Sequence, residues 1–195
     1  MLQVDMQAAL PTTPAAVAGP TIRIPSSTEV GPTGIPTGFP RTPEGGVGQL
    51  AAIGTAVLQG MSIPHTNDVY HQWAMAGGVG VTEWTMTRNV QAFLDAARMG
   101  QETDRAISVV AIPAAGQVKG VDGPDWAVAC MLFEVRATIT VGAQMGYGYC
   151  ERMQFYSGRW MIAPGASPAR APSTWPGSEL SVRAGWRTWV DAVEE

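Results

Sequence analysis

Two histidines, His65 and His71, bracket Asp68 in the run HTNDVYH. A metal site there needs ligands converging on one face. Helical residues three apart step through about 300°, so the two imidazoles do not share a face. No cysteine stands nearby to complete a ligand set. The spacing fits surface or capping histidines beside Asp68, and we expect no metal and no cofactor.

The remaining reactive side chains are thinly spread. Glu134 and Glu151 lie near Arg136 and Arg152 in strand-like sequence. Carboxylates on a sheet face can act as acids in a pocket, but this pattern reads as solvent-facing cross-strand ion pairs. Ser157 has no nucleophile elbow around it and sits where a turn wants serine. Gly77-Gly78-Val79-Gly80 follows no strand, so it is not a dinucleotide fingerprint. Gly146 and Gly148 alternate with Tyr147 and Tyr149, which allows curvature or the close approach of another chain segment. Trp175, Trp186 and Trp189, with Tyr147 and Tyr149, are the candidate interaction surface.

Cys130 and Cys150 are the two cysteines. A hairpin turning near Ala143 sets Cys150 opposite Arg136. That is six residues, or about 20 Å, from Cys130, too far to bridge. A longer loop around Gly142, or a bulge, brings the cysteines level. Either one disulfide or two buried thiols is consistent with the spacing.

These residues depend on the stretch from Pro124 to Pro164. From Ala127 every second position to Val141 is apolar, while Glu134, Arg136, Thr138 and Thr140 lie between. Period-2 alternation marks a strand with one face on a core. Tyr156-Ser157-Gly158-Arg159 predicts a two-residue hairpin turn, with Phe155 opposite Trp160 and Met153 opposite Ile162. Before it, Thr42-Pro43 caps a helix whose secure part is 47–60. A second helix is predicted from Thr66 to Met75, and a third follows a cap at Thr82, burying Met86, Val90, Phe93, Leu94 and Ala97. A strand is predicted from Arg105 to Ile112, broken at Pro113 and resumed at Gln117. Ser178 starts a terminal helix with Val182, Trp186, Trp189, Val190 and Val193 on one face.

The first 43 residues hold eight of the fifteen prolines. They are expected to form an extended arm or linker, with 44–195 a single α+β domain. Thr21–Pro25 could add to a sheet edge, and the segment around Gly31–Pro36 could lie across the domain, but a mobile tether is the main expectation. Helices followed by strands predict helices packed on one face of a curved antiparallel sheet, a cone-like shape, plus the C-terminal helix. The net charge of -4 gives no case for nucleic acid. No run of 18 apolar residues exists, and no signal-peptide pattern opens the chain. We expect either a cytoplasmic protein or the extracytoplasmic part of one whose membrane anchor lies elsewhere; the Pro/Thr-rich start favours the second.

The run YGYCERMQFYSGRWMIAPG, followed by APSTWPGSEL, resembles an uncharacterised family encoded beside conjugation genes in high-GC Gram-positive bacteria. GQVKGVDGPDWAVACMLFEVRATITV and GQLAAIGTAVLQGM fit the same pattern, and the resemblance covers about residues 30–190. The architecture is also similar to the cone-shaped, nuclear-transport-factor-like fold of the VirB-eight-like and TcpC-like assembly factors of type IV secretion machines. That resemblance implies a non-enzymatic scaffold, presented outside the cytoplasm, that forms homo-oligomers and meets other protein subunits of a membrane-associated complex. It carries over no catalytic residues. The alternative is a small-molecule binder, or an isomerase- or dehydratase-like enzyme, using the cone pocket. A phage-type or surface structural protein is a third reading. The predicted inward set has no acid or base, which favours the scaffold; a polar pocket holding Glu134, Glu151 or His71 would favour the alternative.

Overall fold

The computed structural model describes residues 2–104, 107–138 and 142–192. The elements in chain order are β1 (Thr21–Ile24), β2 (Glu29–Val30), β3 (Pro36–Thr37), α1 (Pro43–Gly60), α2 (Ile63–Trp73) and α3 (Thr85–Ala96). Then come β4 (Ser108–Val121), β5 (Trp126–Thr138), β6 (Gly142–Tyr156), β7 (Arg159–Ile162), α4 (Glu179–Arg183) and β8 (Arg187–Asp191). Six strands form one sheet in the order β1-β8-β4-β5-β6-β7. The sheet is a curved half-barrel with helices packed in its concave side. Register shifts between Pro113 and Ala115, and between Val118 and Gly120, put bulges in β4. A bulge adds twist and bend, so β4 runs through the expected break at Pro113 as one strand.

Local sequence explains the helix starts. Thr42 accepts from the Gly45 amide at 3.1 Å, and Pro43 takes the first helical position of α1. Ser62 caps α2 through the His65 amide, which brings His65 inside the helix rather than before it. Val47, Leu50, Ile53 and Val57 of α1 are fully buried against Met131 and Phe133 of β5. The stripe expected on α3 is present, with Met86, Val90 and Leu94 buried.

The β6–β7 hairpin has the predicted pairs, Phe155 with Trp160 and Met153 with Ile162. Ser157 and Gly158 both take positive φ, 49° and 84°, as a primed two-residue turn requires.

Three expectations are corrected or filled in. The C-terminal helix lasts five residues. Ser178 does cap it, accepting from the Ser181 amide, but Gly185 adopts φ 84°, a left-handed value that glycine tolerates and that ends the helix. The chain then becomes β8, with hydrogen-bonding partners on both sides: β1 runs parallel to it and β4 antiparallel. Trp186 and Trp189 therefore do not share a helical face, and Val193 lies outside the described residues. The long hairpin is also re-registered. Thr138 pairs with Gly142 and Cys130 with Cys150, so Ala143 lies in a paired strand and not at the turn; residues 139–141 lie outside the described residues. Both registers keep the same side chains on the same face, so alternation cannot choose between them.

The Pro-rich start is packed on the domain. Thr21–Ile24 adds a strand to the sheet through β8. Ile22, Ile24, Ile35 and Phe39 are buried in the same core as α1. Indole donors fix its backbone and side chains: Trp160 Nε1 bonds Pro40 O at 2.9 Å, and Trp73 Nε1 bonds Thr33 Oγ1 at 3.3 Å. An exposed ion pair joins Arg41 to Asp125 at the β4–β5 turn.

Candidate functional site: the interior of the cone

The concave face of the sheet is built from the odd-numbered residues of β5 and β6. Met131 faces Tyr149, Phe133 faces Tyr147, and Ala129 faces Glu151. Tyr147, Tyr149 and Glu151 thus point at the helices, in line with Met153. Trp84, just before α3, meets them from the helix side and is 1% exposed.

A closed polar network results. Trp84 Nε1 donates to Tyr149 Oη at 2.8 Å and to Glu151 Oε2 at 3.3 Å. Tyr149 Oη donates to the same Glu151 oxygen. The other carboxylate oxygen accepts from the Arg152 amide at 3.1 Å. One turn along α3, Asn89 Nδ2 donates to Tyr147 Oη at 2.6 Å, and the Tyr147 hydroxyl contacts Met86 Sδ at 3.4 Å. The two tyrosine rings stack 6.4 Å apart. Burial raises the Glu151 pKa above the ordinary carboxylate range, against the hydrogen bonds that favour its charge. Burial likewise raises Tyr149, and the neighbouring Glu151 charge raises it further. Tyr147 is also raised, chiefly by burial.

Beyond this network the cone opens into a cavity of 1250 Å³. Its apolar wall includes Leu58 and Met61 at the end of α1, Phe93 of α3, Val109 of β4 and Val135 of β5. Residues 2–10, with a short 3-10 helix at Met6–Ala9, cross its mouth as a strap. A smaller cavity of 170 Å³ adjoins it and shares Asn89, Tyr147 and Arg170. Glu151 lines neither cavity.

The opposite face of the sheet is covered by residues 168–186. Cys130, Leu132 and Cys150 pack there under Ala171, Ala184 and Trp186. Cys130 and Cys150 form a disulfide. Trp186 Nε1 donates to Pro172 O at 3.0 Å. A Cβ on Gly146 would sit 1.9 Å from Thr174 O, so this glycine admits the covering segment.

The five aromatic residues of the expected interaction surface are dispersed. Tyr147 and Tyr149 face the helices. Trp186 is buried on the other side of the sheet, at 2% exposure. Trp175 is half-buried, its amide bonded to Ala8 O. Trp189 is half-buried on β8, donating to Asp191. Glu134 pairs with Arg136 along one strand, rather than across two. Glu151, expected in a solvent-facing pair, is instead 5% exposed and enclosed. His71 is exposed and His65 half-buried. Among the described residues, no group of three His, Cys, Asp or Glu side chains could hold a metal ion.

Sequence reasoning passed over Trp84, Asn89 and the true place of Glu151. The last was legible: Glu151 shares parity with Met153 and Phe155, both inward by the hairpin pattern. The first two needed the third dimension, because nothing in sequence shows which end of α3 meets β6.

The chain matches no family model, and no curated protein is significantly similar to it.

Proposed function

We propose that the chain is a non-enzymatic assembly or interaction domain of a conjugative, type IV secretion-like machine, acting outside the cytoplasm. The observation that carries this reading is the fate of Glu151. A working acid or base must reach substrate. Glu151 accepts from Tyr149, Trp84 and the Arg152 amide and lines no cavity. It fastens α3 to the sheet.

The Cys130–Cys150 disulfide supports an oxidising compartment. Three helices before a curved sheet support the nuclear-transport-factor-like cone of the VirB-eight-like and TcpC-like assembly factors. Among the described residues no helix is long and apolar enough to cross a membrane, so membrane attachment in this reading comes through a partner or a separate anchor. Homo-oligomers and other protein subunits are the partners it implies.

In-cell crosslinking with mass spectrometry tests the proposal. Recovery of membrane secretion components supports it. Recovery of soluble metabolic proteins alone sinks it. The alternative reading, a small-molecule binder or an isomerase- or dehydratase-like enzyme, draws on the 1250 Å³ cavity. Turnover lost on removing Asn89 or Tyr147 would favour it.

A further inference from the structure

We propose that the wide end of the cone binds a single-chain amphiphile with a carboxylate head, taken up beneath the N-terminal strap. This inference does not depend on the assembly reading.

The two adjoining cavities share a polar corner made by Asn89, Tyr147, Arg170 and Ser173. Away from that corner the large one is walled mostly by aliphatic and aromatic side chains and, at 1250 Å³, exceeds the 300–1,000 Å³ of typical ligand pockets. An acyl chain buried there leaves water for apolar surroundings, a gain that grows with each CH₂. The small cavity adds Thr85 to that shared corner. Arg170 makes no ion pair among the described residues. Its charge reaches the Tyr147 hydroxyl, opposing the effect of burial on that phenol. One guanidinium with an amide and a phenol as further donors matches a monovalent carboxylate. A doubly charged phosphate head would call for more than one cation.

The strap supplies the entrance. Met6 is largely exposed, and Leu2 and Leu10 partly so, although they adjoin an apolar chamber. Few bonds hold the segment: Trp175 N to Ala8 O at 2.7 Å, and Ala15 N to Gly177 O at 2.8 Å. Asp5 also lines the chamber and bears the wrong charge for a carboxylate guest. Its oxygen accepts from the Ala8 amide, so it belongs to the strap and leaves with it.

Equilibrium dialysis of radiolabelled laurate against the full chain tests this, with dodecanol in parallel. Laurate is expected to bind saturably, one per chain. Arg170→Gln, an exposed change, should weaken laurate about tenfold and leave dodecanol unchanged. Val135→Trp should narrow the chamber and weaken both, with folding checked by near-ultraviolet circular dichroism. No saturable laurate binding overturns the proposal. So does an equal loss of laurate and dodecanol in Arg170→Gln. Binding to phosphatidylglycerol vesicles without binding of monomeric laurate would assign the surface to a membrane and also overturn it.

Discussion

Cys130 and Cys150 stand directly opposite one another on β5 and β6, Cα atoms 4.0 Å apart, on the sheet face away from the helices. Their bridge closes a loop of 20 residues around the hairpin turn. A cross-link of that length stabilises by about 3 kcal/mol in the chain-entropy view. Urea denaturation in reductant should shift the wild-type midpoint down to that of the double variant Cys130→Ala/Cys150→Ala. The double variant itself should be indifferent to reductant. A wild-type midpoint unmoved by reductant would count against a stabilising bridge.

Glu151 makes a second prediction, with a definite sign. Its folded pKa lies above the unfolded value, so the native state holds the proton more tightly. Stability contributed by this group is therefore greatest at low pH and declines as pH rises through 4.5 towards the raised value. Glu151→Gln should remove that decline, visible as a flatter plot of unfolding free energy against pH. Glu151→Ala should cost about 2 kcal/mol, because the Tyr149 hydroxyl loses its acceptor in a dry setting while Trp84 keeps only Tyr149 Oη.

Gly146 gives a steric prediction. Alanine there drives a methyl into Thr174 O, and neither strand nor covering segment can yield freely. Gly146→Ala should destabilise by about 1–3 kcal/mol. Limited proteolysis should open the 165–178 segment before the rest. Unchanged protection of that segment would contradict the contact.

The arm gives a fourth. Ile24 is 1% exposed, so Ile24→Ala should cost about 2–4 kcal/mol in chemical denaturation. A loss under half a kilocalorie would mean the arm contributes little to the fold.

The sheet was readable because its cause is local. Alternation from Ala127 gives the inward face of β5, and Ser157-Gly158 gives the β6–β7 register outright, since a two-residue turn leaves one pairing. The β5–β6 register was not readable. Pairing Cys150 with Cys130 instead of with Arg136 keeps every side chain on its side, so hydrophobic burial does not separate the two registers. The difference lies in the disulfide and in the backbone contacts of Gly146, both tertiary. The terminal helix misled for a related reason. Trp186, Trp189 and Val190 sit at helical spacing, but Gly185 breaks the helix, and β1 and β4 capture residues 187–191 as a strand between them. In the arm, Ile22 and Ile24 alternate with Thr21 and Arg23, which is what suggested an edge strand, whereas the packing of Ile35 and Phe39 was hidden because no period links them. Of the polar network, the inward parity of Tyr147, Tyr149 and Glu151 was there to be seen, and their partners on α3 were not.

β1 and β8 run side by side in the same direction, Thr21 beside Thr188 and Ile24 beside Asp191, with flanking bonds from Thr188 N to Pro20 O and Ala192 N to Ile24 O. Tension applied ahead of β1 and beyond β8 pulls these neighbours in opposite senses along their length. Every bond between them is then loaded together, not peeled one by one. A domain strung between two attachment points in this way behaves as a mechanical clamp. Single-molecule stretching from those two sides should meet more resistance than stretching across the β6–β7 hairpin, whose rungs open in sequence.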